Sequence, residues 1–162
     1  MKSLKLFIGS GFGSGYFPVA PGTAGSLLAT LFMYFVLQVD EVLGTLIFIV
    51  ISSVLTLWVS SVCEEEWGKD PGKEVIDEFA GQALVFLSIP LFGELVPDLI
   101  LLSTGFILFR IFDIWKPLGI YKAQKIGGGV GILVDDLIAG FYAFICLKTL
   151  ILLSSNFFEL PY

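Results

Sequence analysis

Five apolar stretches, residues 24–39, 42–63, 79–93, 97–111 and 132–153, confine this chain to a narrow set of folds. The second and fifth reach the length of about 20 residues at which an α-helix crosses a bilayer unaided. The other three run to about 15 and need flanking residues, a thinned bilayer or a re-entrant path. A turn at Gly93-Glu94-Leu95-Val96-Pro97-Asp98 separates the third from the fourth, so this pair also reads as one short hairpin. The mean hydropathy of +0.92 lies far above that of a water-soluble domain, as does the apolar share of 56%. The expectation is an all-α integral membrane bundle of about five hydrophobic helices, a single domain over residues 1–162.

Against that background the acids stand out. Asp77-Glu78, Asp113 and Asp135-Asp136 form three clusters, each near the beginning or end of an apolar stretch. A charge at the centre of a membrane helix costs about 2.5–3.5 kcal/mol, so five scattered through a bilayer would cost roughly 12–17 kcal/mol. They are tolerable at a membrane edge or in a polar cavity, where such acids mark function by default. If they converge they repel, by about 4 kcal/mol for two charges 4 Å apart at an effective dielectric near 20. A hard divalent cation turns that repulsion into binding.

Composition also excludes chemistries. The net charge of −6 argues against nucleic acid as a partner. The absence of histidine removes Ser-His-Asp triads, histidine zinc sites and phospho-histidine intermediates. No Cys-x5-Arg loop is present, because Lys69 stands six positions after Cys63, and no Asp-x-Asp signature occurs. Cys63 and Cys146 lack metal-type spacing and read as small apolar residues. The start, Met1-Lys2-Ser3-Leu4-Lys5 and then glycine-rich, lacks the pattern of a cleaved leader.

Basic residues orient the bundle. With the N-terminus in the cytoplasm, Lys2, Lys5, Lys69, Lys73, Arg110, Lys116, Lys122 and Lys125 all fall inside. Asp40-Glu41, Glu94, Asp98 and Glu159 fall outside, and Lys148 alone sits on the wrong half, within snorkelling reach of the interface. This places the N-terminus inside and the C-terminus outside after five crossings. All three acid clusters then share the cytoplasmic face with the glycine-rich stretches.

Four blocks carry the chemistry. Residues 9–26 are rich in glycine and lead through Pro21-Gly22-Thr23 into the first apolar stretch, with Thr23 a candidate N-cap and its exposed N–H groups a candidate anion site. In residues 69–81, Pro71-Gly72 marks a turn, and Asp77-Glu78 open a helix whose dipole they complement. Adjacent helical side chains diverge by about 100°, so one acid of the pair ligates a metal while the other orients it or acts as base. In residues 109–117, Arg110, Asp113 and Lys116 recur on one helix face until Pro117 stops the helix. In residues 127–140, glycines precede Asp135-Asp136. Asp135 shares a face with Ala139 and Ala143 that suits close helix contact, and Asp136 lies over Gly140 on the adjacent face.

Together these blocks resemble the phosphatidylglycerophosphatase A family. The resemblance rests on Pro21-Gly22-Thr23-x-Gly25-Ser26, Asp77-Glu78-x-x-Gly81, Phe109-Arg110-x-Phe112-Asp113-x-x-Lys116-Pro117 and Gly128-Gly129-x-Gly131-x-x-x-Asp135-Asp136-x-x-Ala139-Gly140. It implies a bacterial inner-membrane, multi-pass, Mg²⁺-dependent phosphatase. Such an enzyme hydrolyses the terminal phosphomonoester of phosphatidylglycerophosphate to give phosphatidylglycerol, at the cytoplasmic face. In that reading Asp77, Glu78, Asp113, Asp135 and Asp136 hold Mg²⁺ and are the catalytic acids, while Thr23, Arg110 and Lys116 bind the phosphate. An acid serves either as base toward water or as nucleophile. The alternative is a small divalent-cation transporter using the same acids, although transporters place acids near the midplane and often carry repeats.

Overall fold

The computed structural model describes residues 1–69, 71–117 and 126–158, with side chains as far as Ser154. Asp70, Lys122, Lys125 and Glu159 of the charge pattern lie outside the described residues. Among those residues the chain is all helical: α1 (Lys2–Gly9), α2 (Pro21–Val39), α3 (Leu43–Trp67), α4 (Ile76–Leu84), α5 (Leu95–Trp115) and α6 (Gly128–Phe158), with a 3-10 turn at Ser14–Tyr16. Four of these, α2, α3, α5 and α6 over Gly128–Ser154, are long and apolar enough to cross a membrane.

The bundle is turned inside out relative to a protein in water. Leu27, Leu31, Val50, Val54, Ile107 and Leu152 are exposed on its flanks, while Ser26, Thr30, Thr45, Ser52, Thr56, Ser60 and Gln82 are buried. Small hydroxyl side chains let membrane helices approach closely. Those of Thr30, Ser52, Thr56 and Ser60 donate to the carbonyl one turn back at 2.7–2.9 Å, so their burial leaves no donor stranded.

The third apolar stretch departs from the expected span. It forms only nine helical residues, α4, wedged among α2, α3 and α6 and buried from Ile76 to Ala83. Pro90 disfavours helix at Ile89, and the chain tightens over residues 85–88. There the N–H groups of Phe86, Leu87 and Ile89 reach carbonyls three residues back at 3.0, 3.3 and 3.1 Å. Ser88 N–H then donates to the Glu41 carbonyl in the α2–α3 connection at 3.1 Å. The segment therefore runs from one end of the bundle to the other inside a jacket of protein. Non-helical backbone survives at membrane depth only under such cover. α5, with 21 residues, is long and apolar enough to cross on its own, without pairing with the third stretch. The helix extends beyond the apolar stretch 97–111 at both ends: Pro97 fits its first turn, and it runs on through Asp113 to Trp115, as the Arg110, Asp113 and Lys116 spacing leads one to expect.

α2 also begins earlier than expected. Pro21 occupies the first helical turn, where its missing N–H costs nothing, and Ala20 takes the left-handed cap position. Thr23 is consequently inside the helix and is not its N-cap. At the same end α1 lies on α3, with Lys5 Nζ donating to the Trp58 carbonyl at 2.9 Å and Lys2 paired with Glu66 at 2.8 Å. Val75 N–H donates to the Gly9 carbonyl at 2.9 Å. The N-terminus, the loop after α3 and the start of α4 thus gather at one end of the bundle.

Candidate active site

Four elements and one loop converge on a cavity of about 290 Å³ at that end. The start of α2 contributes Pro21 and Gly22, and the loop before α4 contributes Pro71, Gly72 and Glu74. α4 supplies Asp77 and Glu78, the end of α5 supplies Arg110, Asp113 and Lys116, and α6 supplies Ile132, Asp135 and Asp136. All five acids and both cations expected from the sequence line this one space. Thr23 does not, and instead faces a neighbouring apolar groove. The Gly9–Gly15 stretch is likewise absent from the cavity wall: Gly9 packs on α3 at Cys63 and Val59, Gly11 on the Val75 and Phe79 side chains, and Gly15 on the Lys73 carbonyl.

Two cations organise the acids. Arg110 Nη1 pairs with Glu78 and, at 2.9 Å, with Asp113, and it donates to Ser26 Oγ at 3.1 Å. The Ser26 hydroxyl also touches Glu78, so α2, α4 and α5 meet through one guanidinium and one hydroxyl. Lys116 caps α5 in a left-handed conformation, which ends the helix and brings its ammonium to Asp135, 3.9 Å from Asp113. Burial works against that charge, but Asp135, Asp113 and Asp136 together hold the ammonium above its ordinary pKa.

The acids still outnumber the cations six to two around this cavity once Glu74 is counted. Asp113, Asp135 and Asp136 each offer one carboxylate oxygen, all within 4.8 Å of one another. Asp77 Oδ1 and Asp136 Oδ2 are buried without a hydrogen-bond partner. Buried acceptors left unpaired are costly, and a cluster of hard carboxylate oxygens is the donor set that Mg²⁺ or Ca²⁺ takes. The residues present therefore fit a divalent cation.

The adjacent pairs behave differently from each other. In α4, Glu78 is committed to Arg110 and Ser26 while Asp77 keeps an oxygen unpaired, so the two acids of this pair have separate surroundings. In α6 both Asp135 and Asp136 turn inward, at 2% and 4% exposure, although only Asp135 was expected to face the interior. The reason is tertiary: α6 packs against α3, α4 and α5, so two neighbouring helix faces are both interior.

Two residues escaped the sequence reading. Glu74 is buried at the cavity wall with the Ser60 hydroxyl against its carboxylate. It precedes α4, so no helical spacing relates it to Asp77, and its nearness in sequence was the only signal. Ser26 stood in a recognised block but carried no charge to mark it.

Gly22 shows how tight the cavity is. A Cβ there would collide with Glu78 Oε1 and lie 3.3 Å from Arg110 Nη2. Gly22→Ala should displace the Glu78 carboxylate and cut turnover roughly ten- to a hundredfold, while the protein still inserts and purifies as wild type. Steady-state kinetics beside a size-exclusion profile would read this, and unaltered turnover would contradict the packing.

Comparison with known proteins adds independent findings. The family model described as phosphatidylglycerophosphatase A matches residues 7–151. A Bacteroides thetaiotaomicron protein named as a candidate phosphatidylinositol-3-phosphatase is 42% identical over 146 residues, covering 88% of this chain and 90% of that protein. Phosphatidylglycerophosphatase A of Escherichia coli is 34% identical over 80% of this chain and 73% of its own length. That of Haemophilus influenzae is 39% identical over 83% of this chain and 81% of its own length. No solved structure matches the chain.

Proposed function

The chain belongs to the phosphatidylglycerophosphatase A family of lipid phosphatases, and from that premise we propose that it hydrolyses the terminal phosphomonoester of phosphatidylglycerophosphate, with Mg²⁺, at the cytoplasmic face of the inner membrane. The observation that carries this reading is the convergence of six carboxylates, Arg110, Lys116 and the start of α2 on one small cavity. Carboxylates alone would repel a phosphate, which gives the acid excess a purpose only if cations neutralise it. Asp113, Asp135 and Asp136 would hold the cation, with Asp77 beside them. A bound divalent ion supplies positive charge against the phosphoryl oxygens and polarises the attacking water.

The chain's own groups do the rest. Arg110 and Lys116 bind phosphate oxygens from the α5 side. The N–H groups that open α2 at Gly22 offer an anion site opposite. Glu78, braced by Arg110 and Ser26, fixes the guanidinium that meets the phosphate. Asp77, with its unpaired oxygen, is placed to take a proton. The concentration of Lys2, Lys5, Lys73, Arg110 and Lys116 near the acid end supports a cytoplasmic location by the positive-inside rule. Membership of a phosphatase family favours this reading over the cation-transporter alternative.

One relative bears the name of a phosphatidylinositol phosphatase, so the head group is the open choice. A cavity of about 290 Å³ lies at the small end for ligand sites. It suits a primary phosphate on a flexible glycerol better than a phosphate on an inositol ring. The test is phosphate release in detergent from phosphatidylglycerophosphate and from phosphatidylinositol 3-phosphate, with Mg²⁺ or with excess chelator. Release from the first, abolished by chelator and restored by Mg²⁺, is expected. Release from the inositol lipid alone would reassign the head group, and full activity in chelator would remove the metal.

A further inference from the structure

Beside the acid cavity lies a second and larger hollow, a groove of about 780 Å³ between α2 and α5. Its walls are Leu27, Leu31 and Phe35 on α2 and Leu95, Leu99 and Phe106 on α5. These two helices run antiparallel and leave a seam open along the flank: Leu31, Phe35, Leu95 and Leu99 are all at least half exposed. The groove adjoins the site already described: Ala20 lines both spaces. Thr23 lines the groove three residues along α2 from Ala20, at the end nearest the acid cavity.

We propose that this groove holds one acyl chain of the lipid whose phosphate enters the acid cavity. The inference rests on the lipid-phosphatase reading and deepens it by giving the tail a specific seat. The register supports that occupant. From Ala20 to Phe35 is about 22 Å along α2 at 1.5 Å per residue. One leaflet of hydrocarbon is about 15 Å deep, so the groove is long enough to hold a chain that hangs from a head group at the acid end through the depth of its leaflet. The groove's lining also suits the chemistry of a lipid: hydroxyls at Ser14 and Thr23 offer polar contacts to an ester-bearing glycerol, and the remaining walls are hydrocarbon. A free, water-soluble phosphomonoester would use the acid cavity and leave the groove idle.

The proposal separates chain recognition from phosphate chemistry, and so does its test. Ser103 is an exposed small residue on the groove wall and does not line the acid cavity. Ser103→Phe should lower the ratio of kcat/KM on a long-chain lipid phosphomonoester to that on a dihexanoyl analogue by about tenfold, chiefly through KM. An unchanged ratio would overturn the groove assignment. A second measurement uses the whole protein in detergent with a phospholipid phosphomonoester bearing a photoreactive acyl chain, competed with unlabelled lipid. Competable cross-links should map to α2 and α5 at residues such as Leu27 and Leu99. Cross-links confined to the outer faces of α3 and α6 would overturn the proposal even if Ser103→Phe misfolds. Failure of the wild type to release phosphate from either substrate would sink the phosphatase reading instead, while the cross-links still report on the groove.

Discussion

Asp136→Asn should give a protein that inserts, purifies and melts at least as high as wild type, yet releases almost no phosphate. The two effects have opposite signs for one physical reason. Asp136 is 4% exposed, its Oδ2 has no hydrogen-bond partner, and its oxygen lies within 4.8 Å of those offered by Asp113 and Asp135. Like charges that close repel by about 4 kcal/mol at an effective dielectric near 20, so the neutral isostere relieves the metal-free bundle. The same change removes a hard anionic ligand from the proposed metal site. Losing a residue that merely orients a metal ligand costs 10–100-fold, and losing the ligand itself should cost roughly a hundredfold or more. Asp113→Asn should lose activity to the same degree but also some stability, because Asp113 is paired with Arg110 at 2.9 Å. Thermal melts without metal, beside phosphate release with Mg²⁺, distinguish the two. Near-wild-type release by both variants would remove these acids from the chemistry, and a sharp fall in melting temperature for Asp136→Asn would make that acid structural.

Gly140→Leu should have the largest effect on the fold. α4 and α6 cross where Gly81 and Gly140 face each other. A Cβ at Gly140 would overlap the Gly81 carbonyl oxygen, and one at Gly81 would come 2.6 Å from the Asp136 carbonyl oxygen. Both obstacles are backbone, which cannot rotate aside. Overpacking a core costs about 1–3 kcal/mol and sometimes more, and here the displaced element is α4, held on its other sides by α2 and α3. Because Gly140 lies one turn beyond Asp136, separating the helices also pulls Asp135 and Asp136 away from Asp77. The expected result is a lower melting temperature, poor monodispersity in detergent and loss of activity together. Ile145→Leu, on the exposed side of α6, should match wild type in all three. A Gly140→Leu protein as stable as wild type would mean that α4 and α6 do not meet at these glycines.

The legible parts of this protein are those governed by local chemistry. The apolar stretches of α3 and α6 identified themselves by length. Pro117 marked the end of α5 through its restriction of Lys116, and the helix does end at Trp115. Arg110 and Asp113 lie one turn apart, and their ion pair followed from helical spacing alone. The misreading of the third stretch has a cause: hydropathy along the chain does not say which neighbour covers a residue. The third stretch was apolar enough to suggest a span, but Pro90 and the tight turns after Leu84 leave α4 as an internal plug.

What the sequence by itself determined was the inventory: a membrane bundle without histidine, with five acids and two cations set at the ends of apolar helices. Spacing and hydropathy suffice for that, because they are properties of single segments. What only the tertiary structure decided was convergence. It brought Glu74 and Ser26 into the site, turned both Asp135 and Asp136 inward, and set Thr23 in the wall of the apolar groove rather than of the acid cavity. Each of those outcomes depends on which helices lie against which, and packing between distant segments leaves no periodic trace in any one of them.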